Sequence, residues 1–289
     1  MAKNNNEGWT TVIRPKESLW KLNLKELWDY RDLCSLFIRR DITTAFKQTV
    51  LGPLWFIIQP TMTVLLYAVV FGNIAKISTD GLPQPLFYLA GISLWGYFSG
   101  CLGRARSTFT GNVNLFGKVY FPRLIVPISG LVSGLLTFGI QILLFGIVYC
   151  IYVFGNLPGS EYLNINVYAF LFPLYVVMLA GLGLGFGIIF SSFSTKYRDI
   201  GILLNYVTSL WMYATPIIYP LSTVTDPRLK IAMQINPVTS IFEGFKYGFL
   251  GAGEFSWNWL AYSFIVMVVL LLGGILIFNQ KERNFMDTV

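Results

Sequence analysis

The sequence predicts an all-α integral membrane protein, and three observations support this fold class. Six long apolar stretches contain no charged side chain, 55% of the residues are hydrophobic, and only 12% are charged. A water-soluble domain of this size would carry about twice that charged fraction. Runs of about 20 apolar residues exclude the alternating strands of a membrane barrel. In hydrocarbon, helices are then the structure that satisfies every backbone N–H and C=O.

Each apolar stretch is long enough to cross a hydrocarbon layer of roughly 30 Å as a helix, for which about 20 residues suffice. The six stretches run from Leu54 to Ala75, Leu86 to Gly103, Leu124 to Phe154, Val167 to Phe193, Ile200 to Tyr219 and Trp257 to Phe278. We therefore predict six transmembrane helices within a domain of residues 51–279. Residues 1–50 form an N-terminal segment, and residues 280–289 form a tail.

The segment before the first span mixes apolar and charged positions. Within residues 18–47, Trp20, Leu24, Leu27 and Trp28 fall at i, i+4, i+7 and i+8, which is helical spacing. This pattern predicts an N-terminal amphipathic helix in the plane of the inner membrane interface, with its tryptophans at headgroup depth. An amphipathic helix packed on a cytosolic partner protein is the alternative.

The loop between the last two spans, residues 220–256, has an internal helical pattern. Two short amphipathic helices are predicted, over Leu229–Ile235 and Val238–Leu250, with Asn236 as cap and Pro237 at the first helical position of the second. They are too short to cross the membrane, so they either re-enter it from the outside or pack on the surface. In the re-entrant case the predicted outer gate consists of Phe242, Glu243 and Phe245.

The distribution of basic residues predicts that both termini are cytoplasmic. In that topology only Lys76, Arg228, Lys230 and Lys246 of the 21 lysines and arginines lie outside, as the positive-inside rule requires. The net charge of +7 is then explained by attraction to the inner leaflet and not by binding of nucleic acid. We expect a multi-pass protein of the inner (cytoplasmic) membrane.

Several enzyme classes are excluded by what the sequence lacks. It has no histidine, no phosphate-binding G-x-x-x-x-G-K-[ST] loop, no D-x-D pair and no G-x-S-x-G elbow. No ionisable group lies within the six stretches, whereas an ion-coupled carrier normally needs one at mid-depth. We expect no catalytic residue, no metal site and no cofactor on this chain. Its three cysteines are predicted to be small buried apolar side chains.

Aromatic residues make up 17% of the chain, and many lie within the spans. Rings that face a pore offer flat, partly polar surfaces to sugars, whereas helix packing and headgroup anchoring explain the same rings without a pore. The candidate channel aromatics are Tyr67, Phe71, Trp95, Phe98, Trp211, Tyr213 and Tyr219. Glycines at Gly130 and Gly134, and at alternate positions from Gly181 to Gly187, predict close helix packing.

The junction of the amphipathic helix and the first span, RRDITTAFKQTVLGPLWFIIQP at residues 39–60, closely resembles the membrane subunit of ABC transporters that export polysaccharide. Further ordered matches are YLAGISLWGYFSG at 88–100, NLFGKVYFPRLIVPIS at 114–129, KYRDI at 196–200 and NPVTSIFEGFKYGFLG at 236–251. The resemblance covers almost the whole chain. Residues 1–18 extend beyond the shorter members of that family.

The resemblance implies a six-span permease that dimerises and recruits two copies of a separate ATPase subunit, which holds ATP and Mg²⁺. It implies a coupling helix near residues 113–122 that docks on the ATPase, and the candidate contacts are Phe116, Lys118, Tyr120 and Arg123. The implied substrate is a polymer on undecaprenyl diphosphate, such as O-antigen, a capsule-like glycan or teichoic acid. Arg39, Arg40 and Lys47 are candidates to receive the diphosphate, although attraction to ordinary anionic lipid explains them equally well.

Two other functions stay open from the sequence. A related permease that exports a small amphiphile or drug would share the six-span plan. An integral-membrane glycosyltransferase is the second alternative, and the missing acidic pair disfavours it.

Overall fold

The computed structural model describes residues 24–47, 49–112, 116, 121–194 and 199–284, and every regular element within them is helical. The helices are α1 (Leu24–Asp29), α2 (Arg31–Phe46), α3 (Trp55–Tyr67), α4 (Gln84–Arg106), α5 (Thr108–Gly111), α6 (Ile125–Phe154), α7 (Phe172–Ser194), α8 (Asp199–Tyr213), α9 (Pro227–Ile235), α10 (Thr239–Leu250) and α11 (Trp257–Asn284). A π-helical turn, Ala68–Ile74, extends α3. The all-α fold class is confirmed.

Five segments of the described chain are long and apolar enough to cross a membrane. They are Gly52–Ile74, Gln84–Arg106, Ile125–Phe154, Val167–Ser194 and Trp257–Gln280. Their bounds agree with five of the six predicted spans to within three residues at every end. The apolar runs alone therefore located these helices.

The remaining predicted span, Ile200–Tyr219, differs from the structure. Its helix, α8, has 15 residues and ends at Tyr213, which gives a length of about 22 Å at 1.5 Å per residue. Proline lacks a backbone N–H and disfavours helical backbone at the residue before it. Pro216 accordingly follows the end of α8, and the chain turns into the bundle, where Thr215 and Ile217 are fully buried.

The centre of the bundle is α7, which packs most extensively on α4 and α11. Its glycines alternate between these two neighbours. A Cβ at Gly183 would lie 2.7 Å from Cβ of Cys101 on α4, whereas one at Gly185 would lie 3.0 Å from Cβ of Leu270 on α11. The absence of side chains at these positions lets three helices approach closely, as the glycine pattern predicts.

The amphipathic segment forms α1 and α2, and residues 18–23 of its predicted range lie outside the described residues. The α2 helix packs on α6 and buries Phe37 among Phe121, Ile125 and Phe278. Trp28 remains 69% exposed and faces away from the protein. The apolar side of this segment is thus divided between the bundle and the surroundings. We call the end of the bundle that carries α2 the basic end.

The two helices predicted in the loop 220–256 are present as α9 and α10. The second is deeply buried, because Ile241, Phe242 and Phe245 are all 0% exposed. It contacts α4, α7 and α11 at the end of the bundle opposite the basic end.

The α10 helix starts at Thr239 with Val238 as its N-cap and no side-chain cap bond, so the prediction of Asn236 as cap and Pro237 as the first helical residue is wrong. The Asn236 side-chain oxygen instead accepts a hydrogen bond from the Val238 N–H at 3.2 Å in the turn before the helix.

Candidate functional site

A cavity of about 530 Å³ lies between α4 and α8, and we call it the α4–α8 cavity. Its lining residues recur at helical spacing on one face of each helix. They are Trp95, Ser99, Leu102, Gly103 and Arg106 on α4, and Asn205, Thr208, Ser209, Met212 and Tyr213 on α8. Ser99, Thr208 and Ser209 donate to carbonyl oxygens of their own helices, so their hydroxyl oxygens remain available as acceptors. The cavity is therefore polar within an otherwise apolar bundle.

Arg106 joins the two walls of this cavity. Its Nη1 donates to the carbonyl oxygen of Gly201 and to the side-chain oxygen of Asn205, both at 2.9 Å. Since α8 otherwise contacts the bundle chiefly through α7, these two bonds help to fix its position. The site residues predicted from the sequence do not include Arg106, Asn205, Thr208 or Ser209. The spacing of 205, 208 and 209 on one face of an apolar helix was the available signal.

Two of the predicted channel aromatics, Trp95 and Phe98, form a cluster with a third, Trp211 on α8, and with Phe186 on α7. The Trp211 ring centroid lies 6.3 Å from that of Trp95, 5.2 Å from that of Phe98 and 5.1 Å from that of Phe186. Phe98 is fully buried, whereas Trp95 lines the cavity. This cluster packs α8 against α4 and α7, and its Trp95 ring lines the cavity.

The other predicted channel aromatics lie around the end of α8 that is distant from the basic end. Tyr213 lines the α4–α8 cavity and is 54% exposed. The Tyr219 hydroxyl donates to the Tyr213 carbonyl oxygen at 2.9 Å. The ring centroids of Tyr67 and Phe71 are 5.3 Å apart on the first span. A role of these rings in a channel stays a prediction.

The predicted diphosphate residues lie along α2 and just after it, at the basic end. Arg39 and Lys47 are exposed. The guanidinium carbon of Arg40 lies 4.8 Å from the Phe37 ring centroid. Its Nη2 atom lies 2.8 Å from Asp41 Oδ1, with which it forms an ion pair. The charge of Arg40 is thus largely balanced within its own helix. The binding of a diphosphate here stays a prediction.

Two of the four predicted coupling residues fall within the described residues. Phe116 is buried at the basic end, and the Arg123 guanidinium carbon lies 5.2 Å from its ring centroid. Phe116 packs in the same cluster as Phe37 and Phe121. Lys118 and Tyr120 lie outside the described residues. The described part of this loop is therefore anchored to the bundle through Phe116.

The predicted gate residue Glu243 forms a buried pair with Lys246 on α10. The two side chains are 2% and 1% exposed, and Lys246 Nζ lies 3.5 Å from Glu243 Oε1. Lys246 also donates to the Pro216 carbonyl oxygen and lies 4.0 Å from the Phe87 ring centroid, while Glu243 Oε2 accepts from the Glu254 N–H. The pair thus links α10 to the turn after α8 and to the loop before α11.

Burial decides the electrostatics of this pair. Loss of hydration raises the pKa of Glu243, although the nearby Lys246 charge and the hydrogen bond from Glu254 oppose that rise. Loss of hydration likewise lowers the pKa of Lys246, against the effect of the Glu243 charge. The helical pattern placed both residues correctly on α10, but it did not predict that they would be buried. Within the described residues no group of histidines, cysteines and carboxylates could hold a metal ion.

The fold and the cavity define a helical membrane protein with a polar groove between two of its long helices. The sequence profile of the ABC-2 type transporter membrane family matches residues 32–250, and the chain belongs to this family. The resemblance stated from the sequence motifs is confirmed.

Three relatives extend this comparison. An O-antigen export system permease protein of Myxococcus xanthus is 26% identical over 271 residues, which are 92% of this chain and 98% of the relative. A polysialic acid transport protein of Escherichia coli is 25% identical over 261 residues, 88% of this chain and 95% of the relative. An inner membrane transport permease of Escherichia coli strain K12 is 24% identical over 228 residues, 76% of this chain and 84% of the relative.

Proposed function

We propose that this chain is the membrane subunit of an ABC exporter of a lipid-linked polysaccharide, and that two copies form the translocation channel. The α4–α8 cavity carries this proposal, since it combines flat aromatic surfaces with hydroxyl, amide and guanidinium groups. Such a surface contacts both the C–H faces and the hydroxyl groups of sugars. The relatives named for O-antigen export and polysialic acid transport support a polysaccharide substrate.

A second copy of the chain completes the channel. In the monomer the polar lining of the α4–α8 cavity would face hydrocarbon at its open side, where hydrogen-bonding groups without partners are costly. The exposed face of α8 beside it carries Ile202, Leu203, Tyr206, Val207, Leu210 and Tyr213, and the first span exposes Trp55, Met62, Leu65, Leu66, Val69 and Val70. These apolar faces meet those of the second copy, and the two cavities then face each other.

The energy comes from a partner. The sequence has no phosphate-binding G-x-x-x-x-G-K-[ST] loop, and membership of the ABC-2 family supports a separate ATP-binding subunit, of which the dimer takes two copies. They dock at the basic end, through the coupling helix near residues 113–122, with Lys118, Tyr120 and Arg123 as candidate contacts and buried Phe116 as the anchor of the loop. Nucleotide binding and hydrolysis shift the dimer between conformations and drive the polymer outward, without chemistry in this chain.

The basic end faces the cytoplasm, and the chain resides in the inner membrane with both termini inside. The positive-inside rule supports this orientation. The undecaprenyl diphosphate end of the substrate enters from the inner leaflet near Arg39, Arg40 and Lys47. The buried α10 helix, with Phe242, Glu243 and Phe245, then forms the outer end of the channel.

Transport by the purified complex tests this function. Proteoliposomes would contain this chain and its ATP-binding subunit, with fluorescently labelled undecaprenyl-diphosphate glycan on the ATP side. We expect glycan to cross only with ATP and the ATP-binding subunit present. Export of hydrophobic dyes without export of glycan would favour an amphiphile exporter. Sugar transfer from a nucleotide donor by the chain alone would favour a glycosyltransferase, and movement without the ATPase would refute the proposal.

A further inference from the structure

A second cavity, of about 690 Å³, lies at the basic end between α2, α3, α4 and α6, and we call it the α2–α6 cavity. Arg104 and Arg106 are two residues apart on α4, which places them about 200° apart around the helix. Arg104 lines this cavity, and Arg106 lines the α4–α8 cavity. The two cavities are therefore on opposite faces of α4. The α2–α6 cavity is also lined by Arg40, one of the residues proposed to meet the substrate diphosphate on entry.

Two glycines on α6 make room for the Arg104 side chain. A Cβ at Gly130 would lie 3.2 Å from Cβ of Arg104, and one at Gly134 would lie 2.4 Å from its Nη1. The small-xxx-small pair lies where α4 and α6 pack closely, as expected from the sequence, and it also forms a groove for a long basic side chain. This groove directs the guanidinium along α6 toward the cavity.

The charge of Arg104 has no carboxylate to balance it within the described part of the chain. Its one hydrogen bond there is a long one, from Nη1 to the Gly130 carbonyl oxygen at 3.4 Å. The acid that lines the same cavity, Asp41, already pairs with Arg40 at 2.8 Å. A guanidinium carries five N–H donors and binds phosphate in a bidentate manner. The cavity thus presents an unbalanced positive charge with free donors.

The rest of the lining is mixed. Ser107, Asn112 and Thr44 surround the basic end, whereas Phe56 and Leu136 lie farther along, beside the hydroxyl groups of Ser133 and Thr137. Leu136 is 40% exposed, so this part of the cavity opens toward the surroundings of the bundle. A ligand that fits must have an anionic head and a hydrocarbon chain that continues into the bilayer.

We propose that the α2–α6 cavity binds a phospholipid of the inner leaflet, with its phosphate on Arg104 and an acyl chain along Phe56 and Leu136. This site rests on the orientation given in the proposed function, in which the basic end lies at the inner leaflet. The bound lipid neutralises Arg104 and fills the space between α2 and the bundle. It holds the amphipathic α2 helix against α4 and α6.

Native mass spectrometry of the purified full-length chain tests this site with two probes that share the same acyl chains. Phosphatidylglycerol carries the phosphate, and diacylglycerol lacks it. We expect phosphatidylglycerol to bind at least about tenfold more tightly, the ratio that a charge-assisted hydrogen bond supplies. Equal binding of the two probes would show adhesion by the acyl chains alone and would overturn the proposal.

Variants then locate the phosphate. Arg104→Gln should weaken phosphatidylglycerol binding about tenfold and leave diacylglycerol binding unchanged, while Arg104→Lys should retain part of the preference. The control Arg31→Gln removes an exposed charge of α2 near Trp28 and should change neither. Retention of the full preference in Arg104→Gln would overturn the assignment. The comparison of the two probes on the wild-type chain needs no variant to fold.

A competition experiment separates this lipid from the export substrate. A synthetic polyprenyl diphosphate should displace phosphatidylglycerol no better than a second phospholipid does. Displacement at much lower concentration would assign the cavity to the substrate and overturn the proposal. Failure of glycan export in proteoliposomes would refute the proposed function and leave the lipid binding intact, so the two failures are distinguishable.

Discussion

Nη1 of Arg106 donates a hydrogen bond to the side-chain oxygen of Asn205, and this 2.9 Å contact joins α4 to α8 across the α4–α8 cavity. The same nitrogen donates to the Gly201 carbonyl oxygen. Both acceptors lie on α8, which also packs on α4 and α7 through the Trp211 ring cluster. The position of α8 therefore depends on Arg106 together with this cluster.

Replacement of Asn205 tests this dependence. Asn205→Leu removes one acceptor of a charged donor, which costs about 1.5–3 kcal/mol. We expect hydrogen exchange of the α8 amides to accelerate by at least about tenfold, because local opening of the helix becomes easier. Tyr206→Phe, at an exposed position on the same helix, is the matched control. Unchanged exchange in Asn205→Leu would show that the Asn205 hydrogen bond is not needed to hold α8 in place.

The buried pair on α10 predicts strongly non-additive effects on stability. Lys246→Met leaves Glu243 buried without its partner, which costs about 3–5 kcal/mol. The double variant Glu243→Gln with Lys246→Met removes both charges and keeps an acceptor for the Glu254 N–H, so it should be much closer to the wild type. Thermal unfolding in detergent measures both. The exposed pair Lys230 and Glu254 supplies the control Lys230→Met, with a cost of at most about 1 kcal/mol. Equal losses of stability in Lys246→Met and Lys230→Met would contradict the predicted cost of leaving Glu243 buried without its partner.

The same variant should depend on pH. Burial raises the pKa of Glu243 above its ordinary 4.5, and removal of Lys246 raises it further because the opposing charge is lost. A carboxyl group whose pKa is raised in the folded state stabilises the fold below pH 4.5 and loses that contribution as pH rises through the folded pKa. The deficit of Lys246→Met relative to the wild type should therefore grow from pH 4.5 to pH 8. A constant difference in melting temperature over this range would exclude the mechanism.

The glycines of α7 give a packing prediction with an internal control. In Gly183→Ala the new Cβ would lie 2.7 Å from Cβ of Cys101 and 2.9 Å from the Phe98 carbonyl oxygen. Such overpacking costs about 1–3 kcal/mol, which should appear as a lower unfolding temperature. Gly139→Ala on α6 has no atom within 4 Å of its new Cβ and should be neutral or slightly stabilising, since alanine favours helix. A similar loss at both positions would be inconsistent with helix contact at Gly183.

The proposed coupling loop predicts a loss of subunit association. Lys118→Glu combined with Arg123→Glu reverses two charges on the loop and should abolish co-purification of the ATP-binding subunit. Arg228→Glu, at the opposite end of the chain's long helices, makes the same kind of change and should leave association intact. Undiminished co-purification of the double variant would remove this loop from the docking surface.

Most of the helices were predictable because each depends on local pattern. Apolar runs without charge located five membrane-length helices, and the spacing of apolar residues located α10, although its start was predicted two residues too early. The predicted span Ile200–Tyr219 is longer than the helix found there, which ends at Tyr213. Its hydropathy continues past Tyr213, but Thr215 and Pro216 end the helix and turn the chain into the bundle.

The candidate sites were less predictable, since they require knowledge of neighbours. Gly130 and Gly134 have the pattern of a helix contact and lie between α4 and α6, but the pattern did not predict that they also accommodate the Arg104 side chain. Glu243 and Lys246 look like the polar side of an outer helix, yet α4, α7 and α11 enclose them. Phe98 and Tyr213 were grouped as one set of aromatics, and the structure buries the first and exposes the second.

The sequence by itself determined the fold class, the family and the places where helices form, because hydropathy, glycine spacing and ordered motifs are properties of neighbouring residues in the chain. Only the tertiary structure decided which faces meet. It placed Arg104 and Arg106 in different cavities and Glu243 beside Lys246 in the interior. The free energy of a charged side chain depends on the groups and the solvent around it, and these come from helices distant in sequence.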